Sequence, residues 1–279
     1  MKKLYPDTAS ALEGILRTGP SPPDARAISV RAVNYAADGL SMRGHLAIPA
    51  DAGPRPGVLV FPEGYGLSDQ AILRAERIAS EFGYVALACD LHGEARELGG
   101  LEEVLQKLEP LQKSSACVRG RVVPAYDALL AQPEVDPAKV GAIGFCFGGT
   151  MALELALTGR DIGAVVGFHS GLALTAPQDA PNIKAAILLL LGADDPSIDA
   201  EQRLLFEQTM REAKVRWEMH VYGGVRHSFT NPRAHERGLP DWLRYDPVAD
   251  RRSWNAMRAF LDEIWAAPDG GTTATIVMP

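Results

Sequence analysis

The sequence predicts an α/β fold: a doubly wound, mostly parallel sheet with an N-terminal antiparallel hairpin and helices on both faces. Three observations carry that expectation. Short apolar runs alternate with longer segments of helical periodicity, the pattern of strands joined by helical crossovers. The runs "PGVLVFPEG", "YVALACDL", "KVGAIGF", "IGAVVGFHSG" and "AAILLLLGADD" lack polar alternation, as expected of strands covered on both faces. The chain has 279 residues, 47% hydrophobic and 23% charged, enough to bury the core of one large domain.

The elements follow in order. Residues 1–29 read as an N-terminal extension ending in the proline-rich connector "TGPSPPDA". In "SVRAVNYAADGLSMRGHLAIPA" two alternating segments flank Asp38-Gly39, a turn dipeptide, and predict the hairpin. "DQAILRAERIASEFG" has helical spacing. It opens at Asp69, a residue able to cap an N-terminus, and closes at Gly83. Residues from about 101 to 132 hold one or two amphipathic helices. "GTMALELALTG" and "AEQRLLFEQTMREA" are further helices, "VRWEMHVYGG" is a last strand, and "SWNAMRAFLDEIWAA" is a closing helix after the charged loop "RYDPVADRR". The expected organisation is a single domain over residues 30–267 with a tail at 268–279.

Bulk properties exclude several function classes. A net charge of −7, spread along the chain, argues against nucleic acid, which needs a basic footprint. Three cysteines, Cys89, Cys117 and Cys146, do not make a disulfide framework and suit a reducing compartment. "MKKLYPDTASALEGIL" lacks the apolar stretch of a signal peptide, and the longest apolar run, "AAILLLLGA", is far short of a membrane span. The expectation is a cytoplasmic protein, a monomer or homodimer, acting on a small molecule with no membrane or nucleic-acid partner. The six histidines show no paired metal spacing such as H-E-x-x-H, so neither metal nor cofactor is expected.

Chemistry concentrates in "VGAIGFCFGGT", residues 140–150. Cys146 stands where a predicted strand turns sharply into a helix, with Gly144 and Gly148 two residues to either side. So tight a turn presses its flanks together and demands residues without side chains. This is the nucleophile-elbow pattern, with cysteine in the place serine commonly holds. The following helix points its N-terminus at the thiol, which favours thiolate, and the backbone N–H of Phe147 is placed to meet an oxyanion. A nucleophile needs a base and an orienting acid. Downstream, "LLLLGADDPSID" sets Asp194 and Asp195 past one strand, and "VYGGVRHSFTNP" sets His227 past the next. Nucleophile, acid and histidine thus occur in the order of a strand-end triad.

These residues carry a resemblance to the dienelactone hydrolase family of α/β-hydrolases, through "PEGYGL" around Glu63, "CDL" at 89–91, "GFCFGG" at 144–149, "GADDPSI" at 192–198 and "RHSFTNP" at 226–232. The resemblance spans residues from about 30 to 265 and implies an α/β-hydrolase fold and hydrolysis of esters or lactones. It implies Asp195, rather than Asp194, as the acid. It also implies that Glu63 pairs with the cysteine until substrate arrives. A carboxylate there opposes a second negative charge on sulfur and can accept the thiol proton. The backbone N–H of Gly64 or Tyr65 is the second oxyanion candidate, with Gly64 placed first.

The chain departs from the family pattern where two arginines hold a substrate carboxylate. One position, four residues after His227, is Asn231; the other is matched by Glu94, with Arg96 two residues on. Losing a bidentate partner is not conservative. A neutral ester or another lactone is therefore at least as good a substrate as dienelactone, unless Arg96 or Arg226 substitutes. Tyr65, His92, Arg96, His169 and Asn231 are the candidate substrate-binding residues, with Phe145, Phe147 and Trp242 as further pocket candidates. The competing function class is a catalytically silent α/β-hydrolase scaffold that binds a small molecule.

Overall fold

Strand β1 (Ile28–Ala37) and strand β2 (Leu40–Pro49) form the expected antiparallel hairpin, with register Ala37 to Leu40 at the turn. Asp38 and Gly39 both take positive φ, 51° and 71°, the backbone that matches the twist of paired strands. The computed structural model describes residues 25–51, 53–174 and 176–266. The expected extension (1–29) therefore lies mostly, and the tail (268–279) wholly, outside the described residues.

The chain continues through β3 (Arg55–Phe61), α1 (Asp69–Arg77), β4 (Val85–Ala88), α2 (Leu101–Lys113), α3 (Ser115–Leu130), β5 (Val135–Phe145) and α4 (Phe147–Leu157). Then come β6 (Ala164–Phe168), β7 (Ala186–Gly192), α5 (Ala200–Glu212), β8 (Trp217–Tyr222) and α6 (Pro247–Trp265). The eight strands make one sheet in the order β1-β2-β4-β3-β5-β6-β7-β8. Pairing is parallel from β4 to β8 and antiparallel on both sides of β2.

Alternate residues of the central strands feed two cores. Leu59, Phe61, Leu189 and Leu191 pack on the face covered by α2, α3, α4 and α5. Val58, Val60, Leu188 and Leu190 pack on the face covered by α1 and α6. That is why these strands show no polar alternation.

Two boundaries differ from expectation. Asp69 is not the cap of α1. Ser68 holds that position, with no side-chain hydrogen bond, and Asp69 lies inside the first turn. The helix runs on through a π-turn, Ile78–Phe82, to Gly83, whose φ of 75° ends it as expected. Helix α6 starts at Pro247, earlier than its apolar rhythm shows, because Asp246 caps it by accepting from the N–H groups of Val248 and Ala249. Among the described residues no helix is long and apolar enough to cross a membrane.

Candidate active site

The parallel strands deliver the candidate residues to one end of the sheet. Glu63 follows β3, Cys146 follows β5, Asp195 follows β7 and His227 follows β8. Cys146 has φ 55° and ψ −122°, a region non-glycine residues avoid. Such a conformation costs on the order of 1–3 kcal/mol and persists only where its surroundings over-determine it. The surroundings are main chain. A Cβ on Gly144 would lie 2.0 Å from the carbonyl oxygen of Gly148, and one on Gly148 would lie 2.3 Å from that of Phe61. Glycine at both positions is a steric requirement. The second contact seats the turn on the end of β3, beside the loop of Glu63 and Gly64.

Asp195 is buried and Asp194 is exposed, which separates the two acids. The Asp195 Oδ2 lies 2.6 Å from His227 Nδ1, and its Oδ1 accepts the Ser197 N–H at 2.8 Å. With Nδ1 donating to the carboxylate, the lone pair of a neutral His227 ring sits on Nε2, which has no nitrogen or oxygen partner. Burial disfavours the imidazolium, but interaction with the Cys146 side chain and with Asp195 outweighs it and raises the His227 pKa to about 10.

Glu63 is 5% exposed. Its Oε2 accepts from Asn231 Nδ2 at 2.7 Å, and its Oε1 is buried without a partner. The Gly64 carbonyl accepts from His92 Nε2 at 2.8 Å, which fixes that peptide. Phe147 opens α4, where the first N–H groups of a helix lack an intrahelical partner.

Glu63, Gly64, Tyr65, Cys146, Phe147, His227 and Asn231 line one cavity of about 430 Å³. One wall is the apolar row Leu101, Val104, Leu105, Leu108 and Leu111 of α2. Trp242 lines it too, anchored by its Nε1–H on Ser197 Oγ at 2.6 Å. The cavity has the size and apolar character of a small-molecule site.

Three of the expected substrate-binding residues lie elsewhere. His92 is 3% exposed and spends its Nε2 behind the Gly64 carbonyl, not in the cavity. Arg96 is drawn outward by Glu94 at 2.6 Å and Glu103 at 2.8 Å. His169 is fully buried behind Cys146, where its Nδ1 accepts the Cys146 N–H at 3.1 Å. Asn231 does line the cavity, but its amide is engaged at both ends, by Glu63 and by the N–H of Arg233. Phe145 is a core residue stacked on Phe168. Arg226 faces outward to the Pro240 carbonyl and Asp241.

The cation that does line the cavity, Arg237, gave no signal in the sequence. It lies 3.6 Å over the Tyr65 ring and is paired with Glu97. It ends the short turn Ala234–Arg237, whose first residue also lines the cavity. The α2 row lies in the stretch from about 101 to 132 that the sequence assigns to one or two amphipathic helices, with no sign there of a cavity wall.

An eight-stranded, mostly parallel sheet with an antiparallel first hairpin, a strained strand-to-helix turn and an acid and histidine at later strand ends defines an α/β-hydrolase. More narrowly, the chain belongs to the dienelactone hydrolase family, whose model matches residues 42–265. It is 29% identical over 245 residues to the protein named usf of Aquifex pyrophilus, covering 83% of this chain and 97% of that one. It is also 29% identical over 244 residues to a Bradyrhizobium sp protein named "Probable 2-oxo-3-(5-oxofuran-2-ylidene)propanoate lactonase", covering 82% and 92%. A crystal structure of a dienelactone hydrolase-like promiscuous phosphotriesterase from metagenomic libraries superimposes with a TM-score of 0.81 at 41% identity, over 85% of this chain and 99% of that one. The protein is thus a hydrolase of the ester and lactone class.

Proposed function

We propose that this protein cleaves neutral, largely apolar esters or lactones through a Cys146–His227–Asp195 triad and a thioester acyl-enzyme. The observation that carries this is the 2.6 Å Asp195–His227 contact beside Cys146 in one apolar cavity. Asp195 holds the Nδ1–H, so Nε2 takes the thiol proton. The sulfur attacks the carbonyl carbon, and the carbonyl π pair moves to oxygen. The N–H groups of Phe147 and Gly64 receive that oxyanion, each donor worth roughly 3 kcal/mol in comparable sites. Collapse breaks the C–O bond. The departing alkoxide takes the proton from His227 and a thioester remains. His227 then deprotonates a water, which adds to the thioester. The second collapse breaks the C–S bond, and sulfur is reprotonated. No cofactor enters this scheme.

Glu63 acts as a gate. Its charge opposes negative charge on Cys146 in the free enzyme, and its unpartnered Oε1 is an acceptor for the thiol proton. The substrate class follows from the lining. Asn231 is neutral, Arg96 points away, and Arg237 is already paired with Glu97, so a substrate carboxylate would find no unpaired cation among the described lining residues. The catalytic unit is taken as residues 30–267, working in a reducing compartment such as the cytoplasm.

The test is a hydrolysis panel of p-nitrophenyl esters, neutral lactones, one carboxylate-bearing dienelactone and one phosphotriester, the last prompted by the 41%-identical relative. Wild type should turn over the neutral esters or lactones, and Cys146→Ala, checked for folding, should not. Preferred turnover of the dienelactone would overturn the substrate class. Undiminished activity in Cys146→Ala would overturn the mechanism. No turnover together with an inert Cys146 thiol would favour the silent binding scaffold.

A further inference from the structure

We propose that His169 is a positioning residue that ties the main chain of Cys146 to the loop carrying His227, an inference that rests on those two being nucleophile and base. His169 follows β6, is wholly buried and has a positive φ of 39°. Its own N–H donates to the Leu190 carbonyl at 2.8 Å, which roots the residue on β7. On one side Nδ1 accepts the Cys146 N–H at 3.1 Å; the same N–H reaches the Phe168 carbonyl at 3.0 Å. On the other side Nε2 lies 2.9 Å from Thr230 Oγ1. An amide N–H only donates, so Nδ1 carries the lone pair and the ring proton sits on Nε2, donating to Thr230.

Thr230 is itself braced. Arg74 Nη2 donates to its carbonyl at 2.7 Å and pairs with Asp250 at 2.7 Å, while Gln70 Nε2 donates to its hydroxyl at 3.2 Å. Thr230 stands three residues after His227 and one before Asn231, which holds Glu63. A single rigid imidazole therefore spans from the nucleophile's amide to the loop that carries the base and the partner of Glu63.

Two physical needs meet here. The strained Cys146 backbone persists only while its neighbours hold it. Proton transfer from thiol to base needs a fixed donor–acceptor distance, and a misplacement of about 1 Å can cost about 100-fold in rate. A second proton on Nδ1 would set two N–H donors against each other. The charged and titratable groups facing the ring are His227, with ring centroids 5.1 Å apart, Arg74 and Cys146. Burial first, then His227 and Arg74, push the His169 pKa well below 6.5 and keep the ring neutral.

The test compares His169→Ala, His169→Asn and His169→Gln, reading kcat, KM, the rate of Cys146 alkylation by iodoacetamide, and folded fraction by circular dichroism. Asparagine Oδ1 can take the place of Nδ1 and accept the Cys146 N–H; glutamine can reach Thr230 but offers that amide nothing. Alanine and glutamine should lower kcat about 10- to 100-fold with KM within about threefold, and asparagine should recover to within about fivefold of wild type. Alkylation should be slowed in the same order. Unchanged kcat in alanine, equal losses in asparagine and glutamine, or losses that track the folded fraction would each overturn the role. If wild type cleaves nothing in the panel, it is the nucleophile-and-base reading that fails. Nitrogen-15 NMR still decides the His169 geometry, because it needs no substrate: a neutral Nε2–H form at neutral pH supports the bridge, and an Nδ1–H form there rejects it.

Discussion

Asn231 Nδ2 donates a 2.7 Å hydrogen bond to Glu63 Oε2, joining the loop after β8 to the loop after β3. The donor is neutral, so it orients the carboxylate without cancelling its charge. The other carboxylate oxygen stays buried and unpartnered, in the cavity that Cys146 also lines.

Removing this donor should cost stability. Asn231→Ala leaves a buried carboxylate with no hydrogen bond from that side, a loss of about 1–3 kcal/mol. In a Glu63→Gln background the same substitution should cost less, because no buried charge is stranded. Urea unfolding of the four proteins in the cycle checks this, and equal losses in the two backgrounds would remove the coupling.

The two adjacent aspartates should separate sharply. Asp195→Asn should lower kcat by roughly 10³–10⁴-fold, through loss of the His227 tautomer and orientation. Asp194→Asn changes an exposed side chain and should stay within about threefold of wild type. Steady-state kinetics on any ester the protein cleaves gives the comparison.

Stability should depend on pH through His227. Its folded pKa is raised to about 10 from an ordinary value of 6.5. A group raised on folding stabilises the protonated form. Its contribution is complete below about pH 6.5 and is lost as pH climbs through about 10. The urea midpoint of wild type should therefore fall across that window. Asp195→Asn should show a shallower fall, since the carboxylate on Nδ1 helps hold the proton on the histidine. Parallel curves would mean that the carboxylate does not hold the proton on His227.

The elbow should not tolerate a methyl group. Gly144→Ala would set its Cβ 2.0 Å from a main-chain oxygen that has no side chain to move aside. The expected result is insoluble or inactive protein. Gly223→Ala, in an exposed turn with nothing within 4 Å of the added carbon, should fold and behave as wild type. Expression yield, melting temperature and activity of the pair test the difference.

The residues that were legible before the structure are those whose signal is local. Apolar runs too short for helices marked the buried strands, and Asp38-Gly39 marked a turn with two positive φ values. Gly144 marked the tight turn at Cys146 because its clash with the Gly148 main chain acts over four residues of chain, whereas Gly148 is required by the distant end of β3. Asp69 and the start of α6 misled by a few residues, since a helix boundary is settled by backbone conformation and cap contacts that residue type alone does not guarantee.

By itself the sequence determined the kind of fold, the order of nucleophile, acid and histidine candidates, and their placement at strand ends, because periodicity, turn sterics and chain order are properties of neighbouring residues. Tertiary structure decided which aspartate meets His227, that Asn231 holds Glu63, that His169 stands behind Cys146 rather than in the cavity, and that Arg237, not Arg96, lines the cavity. Each of those outcomes is a contact between loops far apart in the chain. Their distances are set by strand register and helix packing across the whole sheet, and no local pattern encodes them.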